Sequence, residues 1–124
     1  YNTHMYLKPG GIFRMVLPDM EFLCKEYING LEKKDSQSCI KLMEISQLGV
    51  KDRTRGIKGV LTNMFGNSNH LWMWDYSSLS HLLKEAGFSK VRKSKFNDSE
   101  DEMFLYVEEK NRFYKDCFSI EAIK

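Results

Sequence analysis

The segment His70-Leu71-Trp72-Met73-Trp74-Asp75-Tyr76 concentrates the side chains best suited to chemistry. The imidazole of His70 titrates near neutrality, so it can act as a general base toward a nucleophilic oxygen or nitrogen; a loop histidine equally serves as a structural hydrogen-bonding group. Trp72, Trp74 and Tyr76 have the ring faces to wall a substrate site by stacking on a planar or sugar ring, and they serve as well as core aromatics. Pro18 and Asp19 close the apolar run Ile12 to Leu17, at the end of a strand where open α/β sheets bind ligands. Asp19 also suits the first turn of the next helix, because its carboxylate accepts hydrogen bonds from free N–H groups and favours the positive dipole end. His70 is therefore the candidate catalytic residue, and Pro18, Asp19, Trp72, Trp74 and Tyr76 are the candidate substrate-binding residues.

Other chemistries find little footing. Cys24, Cys39 and Cys117 are odd in number and lack CxxC spacing, which argues for reduced core thiols rather than a disulfide framework or a zinc site. No Ser-His-Asp order, metal-ligand cluster or phosphate-binding loop is present, which excludes the hydrolase and nucleotidase readings. Nineteen Lys and Arg against seventeen Asp and Glu leave a net charge of +2, too small for a sequence-independent nucleic-acid binder. Lys51, Arg53, Arg55 and Lys58 lack interleaved aromatics, as do Lys90, Arg92, Lys93 and Lys95. They read as a solvated loop and a guarded strand, so no nucleic-acid partner is expected. No stretch reaches the roughly 18 apolar residues of a membrane span, and no signal-peptide layout opens the sequence. The expectation is a cytoplasmic protein without a membrane partner.

The elements that must position these residues are legible in outline. At 124 residues, 42% hydrophobic and 29% charged, the chain has the material for one packed domain. Leu7-Lys8-Pro9-Gly10-Gly11 predicts a turn, and Ile12 to Leu17 a strand buried on both faces. Asp19 predicts a helix start, with Leu23, Cys24, Tyr27, Ile28 and Leu31 on one apolar face and an end near Gly30. Ser36 is a candidate cap for a second helix through Cys39, Ile40, Met43 and Ile45, stopped by Gly49. Gly49 to Asn69 reads as a long loop or lid. Asp75 opens the clearest helix, with Leu79, Leu82, Leu83 and Ala86 as its core stripe, Gly87 as its stop and Phe88 folding back onto Leu83. Ser89 to Phe96 predicts a lysine-protected edge strand, and Phe118 to Ile123 a final strand with clean alternation. The sum is an α/β layer arrangement with three strands.

Leu7-Lys8-Pro9-Gly10-Gly11 followed by a strand ending in Pro18-Asp19 resembles the entry to the fifth strand of class I S-adenosylmethionine-dependent methyltransferases. Asp75-Tyr76-Ser77-Ser78-Leu79, leading to Leu82-Leu83-Lys84-Glu85-Ala86-Gly87-Phe88 and Val91, resembles their last helix and sixth strand. Ser119 to Lys124 resembles their seventh strand. The order and spacing of these segments, more than any one of them, carry the likeness, which is greatest to the methyltransferase-11 type. The resemblance implies a partial Rossmann-like sheet with strands equivalent to 5-7-6, covered by helices, the last strand antiparallel between its neighbours. It implies S-adenosylmethionine as cofactor and a small molecule or glycan as methyl acceptor.

The glycine-rich loop and the ribose-binding acid of that family have no counterpart here, since Gly10-Gly11 precedes the first strand instead of following one. The expectation is thus the C-terminal portion of a methyltransferase, residues 1–124 forming one domain without the cofactor-binding N-terminal half and inactive alone. The alternative is a non-catalytic interaction or dimerisation module derived from that fold. A strand without its family neighbour exposes an apolar edge, which predicts a homodimer, a strand-swapped oligomer, or pairing with a separate N-terminal half.

Overall fold

The computed structural model describes residues 2–49 and 72–124. In chain order the elements are α1 (Asn2–Tyr6), β1 (Ile12–Pro18), α2 (Met20–Glu32), α3 (Ser38–Ser46), α4 (Tyr76–Glu85), β2 (Lys90–Ser94) and β3 (Cys117–Ile123). Two short 3₁₀ turns, Glu102–Tyr106 and Lys110–Arg112, lie between β2 and β3. The chain divides into two compact units, residues 1–22 with 74–124, and residues 23–73.

The first unit is a three-stranded sheet in the order β1-β3-β2, with β3 antiparallel to both neighbours. β1 and β2 therefore run in the same direction. β1 pairs with β3 along one side only, and on its other side no strand pairs with it among the described residues. This corrects the expectation of a strand buried on both faces: all seven residues of β1 are half-buried, as an edge position allows. The reverse holds for β3, whose clean sequence alternation conceals burial on both faces, Ser119 and Glu121 included.

One face of the sheet makes the apolar core. Phe118, Ile120 and Ala122 of β3 pack with Leu79 and Leu83 of α4 and with Phe88, flanked by Phe13, Met15 and Leu17. Removal of this surface from water is the main stabilising term, at about 25 cal/mol per Å². α4 starts where the sequence says it should, the Asp75 carboxylate accepting from Ser78 N–H at 2.7 Å. It ends in a Schellman motif: Phe88 N–H donates to the Leu83 carbonyl, Gly87 N–H donates to that of Lys84, and Gly87 has φ +101°. Leu82 departs from the expected stripe. It is exposed, and Ser80 is buried in its stead.

The Leu7–Gly11 turn forms as expected, with Gly10 at φ +77°. It is clamped by Lys124, whose backbone exchanges hydrogen bonds with Gly10 and Gly11 and whose ammonium donates to the carbonyls of His4 and Leu7. The last two bonds satisfy carbonyls at the end of α1 that a helix leaves open.

The second unit holds most of α2 together with α3. Asp35, not Ser36, organises the start of α3: its carboxylate accepts from Gln37 N–H and its carbonyl from Ser38 N–H and Oγ. The helix also stops earlier than Gly49, because Gln47 itself takes the left-handed conformation at φ 53°. The buried residues of α3 are Ser38 and Ser46, while Cys39, Ile40, Met43 and Ile45 are exposed; on α2, Cys24, Ile28 and Leu31 are exposed as well. Helix contact here is set by small residues. A Cβ on Gly30 would overlap Ser38 Oγ and stand 2.9 Å from Ser38 Cβ. Gly30→Ala should therefore destabilise the unit by about 1–3 kcal/mol through overpacking, measured as a shift in the urea midpoint.

Candidate functional site

The carboxyl end of β1 gathers four of the six candidate residues into the first unit. Pro18 pairs with Cys117 across the sheet, and Asp19 N–H donates to the Asp116 carbonyl at 2.8 Å. The Asp19 carboxylate accepts from Glu21 N–H at 3.0 Å, the capping role anticipated for it. Asp19 and Trp74 form a parallel bridge, Met20 N–H donating to the Trp74 carbonyl at 3.1 Å, so the chain before α4 runs beside the strand's end. Tyr76 places its ring edge-on to Phe118 at 6.3 Å, and the Lys93 ammonium stands over its face at 4.8 Å. Trp72 belongs to the second unit and is exposed. His70 lies outside the described residues, as do Lys51, Arg53, Arg55 and Lys58.

This end of the sheet offers the carboxylates of Asp19 and Asp116, the Tyr76 phenol and the Cys117 thiol. Burial pushes the Cys117 thiol up, with Asp116 adding to the effect, so it stays protonated at neutral pH. Cys24 and Cys39 are exposed, which corrects the reading of all three cysteines as core thiols. Iodoacetamide should consequently label Cys24 and Cys39 well before Cys117, a rank order that mass spectrometry of timed samples can check.

Sequence reasoning missed a second arrangement, on the sheet face opposite α4. The register aligns Arg14, Glu121 and Arg92 in one row across the three strands. Both arginines donate to the Glu121 carboxylate, whose side chain is 2% exposed; that of Arg14 is 3% exposed. Arg14 Nε also donates to Glu108 at 2.7 Å, Nη1 to Asp98 at 3.0 Å and Nη2 to the Lys95 carbonyl at 2.9 Å. Arg92 reaches the Asp98 carboxylate and its carbonyl, and Asn97 N–H donates to Glu108. The Phe104 ring covers the Arg14 guanidinium at 5.4 Å. In the next row Ser94 and Ser119 share a hydrogen bond. Among the described residues no buried side-chain polar atom lacks a partner. The signal was present in the sequence as a lone arginine inside the apolar run of β1, since a charge in such a run must find a partner.

This network ties the 97–109 connector to the sheet, and its charge state follows directly. Burial raises the Asp98 carboxyl, but hydrogen bonds from Arg92 and Arg14 outweigh it and hold the group below its ordinary value. A depressed carboxylate stabilises the fold fully above its unfolded pKa of about 3.9 and loses that effect as pH falls through the folded value. Thermal melts should accordingly be flat near neutrality and fall off below about pH 4, with Asp98→Asn giving a shallower acid limb.

Comparison with family models, with curated proteins and with solved structures finds no match to this chain. Among the described residues, Gly10 and Gly11 do not form the cradle that the methyltransferase resemblance would require of a cofactor loop. A Cβ on Gly10 would meet open space, and one on Gly11 would meet the Lys8 carbonyl and Leu7, which is the packing of a turn. Among the described residues no group of three or more His, Cys, Asp and Glu is placed to hold a metal ion. None of their helices is long and apolar enough to cross a membrane.

Proposed function

We propose that the chain is the acceptor-side, C-terminal portion of a class I S-adenosylmethionine-dependent methyltransferase acting on a small molecule or glycan. The observation that supports this reading is the strand order β1-β3-β2 with the last strand antiparallel between two like-directed neighbours, the arrangement expected of strands equivalent to 5-7-6. Agreement between local motifs and topology adds weight: the Gly10 turn precedes β1, and the Gly87 stop joins α4 to β2. In this reading Pro18, Asp19, Trp74 and Tyr76 border the acceptor, and the cofactor is held by a segment with the glycine-rich loop that this sequence lacks. Methyl transfer needs acceptor and sulfonium held in line, so the chain by itself is inactive.

The coding sequence upstream of Tyr1 tests this. An in-frame strand, glycine-rich loop and helix, followed by an acidic residue after a second strand, is the expected finding. A reading frame without them, and with no companion polypeptide that carries them, would remove the enzyme reading.

The unpaired side of β1 favours a second reading, an interaction module that builds a homodimer or strand-swapped oligomer across that edge, or pairs with a separate N-terminal half. Open strand edges template such pairing. Light scattering over a wide concentration range tests the self-pairing, which a concentration-independent monomer would contradict.

A further inference from the structure

We propose that the groove between the charged sheet face and the 97–109 connector docks a protein segment in which a bulky apolar side chain is flanked by basic residues. The proposal does not depend on the methyltransferase reading. The groove has a volume of about 300 Å³, with Val16 and Ser119 among its floor residues and Phe104, Val107 and Phe113 on its connector side. Phe113 is fixed there by ring contact with Phe96 at 5.4 Å, and Phe104 by its place over Arg14. The wall is therefore built before a ligand arrives, which lowers the ordering cost of binding.

Val107 in the wall, and Met103, Leu105 and Tyr106 beside it, are between 51% and 82% exposed. Four large apolar side chains in five successive residues, open to water next to an apolar groove, mark an interaction surface.

Charge decides what covers it. From Asn97 to Glu109 there are six carboxylates and no Lys or Arg; the cations of the groove are Arg14, held by Glu121, Asp98 and Glu108, and Arg112, which follows with Lys110. Asp98 and Glu108 are consumed by Arg14 and Arg92, and Asp101 caps the first 3₁₀ turn through Met103 N–H. Glu100 and Glu102 stand exposed beside Met103, and Glu109 on the rim meets Arg112 only at 3.5 Å in an open pair. An open pair at that distance is weak, and an incoming cation can displace it. A nucleic acid or an anionic membrane would be repelled by this segment, and a second copy of the chain would bring the same carboxylates against themselves in a two-fold contact. A positively charged segment is attracted, and its apolar anchor gains the groove.

Selection of displayed random peptides on the intact chain, followed by fluorescence-anisotropy titration of the enriched peptides, tests this. The expected winners carry net positive charge around one or two bulky apolar residues. Their affinity should fall at least tenfold on Tyr106→Ser/Val107→Ser and on Glu100→Lys/Glu102→Lys, all of them exposed positions whose variants keep the wild-type circular dichroism. Failure to enrich, enrichment of acidic or uncharged sequences, or equal binding to either double variant would overturn the proposal. So would concentration-dependent dimerisation of the wild type that Tyr106→Ser/Val107→Ser abolishes, because the occupant would then be a second copy.

Discussion

Glu121→Ala is expected to destabilise the protein by about 3–5 kcal/mol, the usual cost of removing one partner from a buried ion pair. The reason lies in what remains. Arg14 would keep its charge at 3% side-chain exposure with its main carboxylate gone, and Glu108 and Asp98 lie toward the connector, not in the strand row. Burial by itself would lower the Arg14 pKa; the hydrogen bonds from Arg14 to Glu121, Asp98 and Glu108 keep it above the ordinary value. Arg14→Ala should be comparably costly, since it leaves the buried Glu121 with Arg92 alone and takes from Glu108 its guanidinium partner. Arg92→Ala should cost far less, about 1 kcal/mol, because its side chain is 43% exposed and water replaces the lost bonds. A double-mutant cycle of Arg14 with Glu121, read from urea denaturation, should give a coupling of more than about 1.5 kcal/mol. Additivity within about 0.5 kcal/mol would mean that the row is wet.

Ile120→Ala follows at about 2–5 kcal/mol, from lost transfer energy and the cavity left behind. Ile120 is 1% exposed, on the central strand, with Met15 and Lys93 as its register partners and the α4 stripe above it. Relaxation into the space is hindered on all sides. Leu82→Ala on α4 is the matched control: the same kind of truncation at an exposed position should cost under about 1 kcal/mol. Equal losses at both sites would contradict the placement of the core on the α4 face.

The parts of the fold that were legible in the sequence are those where local chemistry leaves one choice. Pro9 and the paired glycines permit a turn, Asp75 caps α4, and Gly87 with Phe88 completes a stop that few other residues can make. The lysines of β2 correctly marked an edge. Misreadings arose where a partner distant in sequence decides. Glu121 looks like a solvated strand residue until the register sets it between Arg14 and Arg92. Likewise Ser38 is buried because Gly30 lets it approach, and no helical periodicity reveals that. Gln47 in the left-handed region ended α3 before the glycine that seemed the natural stop. For the candidate site, the end of β1 was legible from strand polarity alone. Its union with Trp74 came from a bridge that no motif announces, and His70 falls outside the described residues.

The proposed function rests on a division of labour, with the acceptor side in this chain and the cofactor loop in a segment it lacks. Calorimetric titration with S-adenosylhomocysteine, which stands for the cofactor after its methyl group has left, tests that division most directly. The account predicts no heat from residues 1–124 at high micromolar ligand and one-site binding by the product of the whole reading frame. Saturable binding to residues 1–124 alone, or none to the whole product, would contradict it.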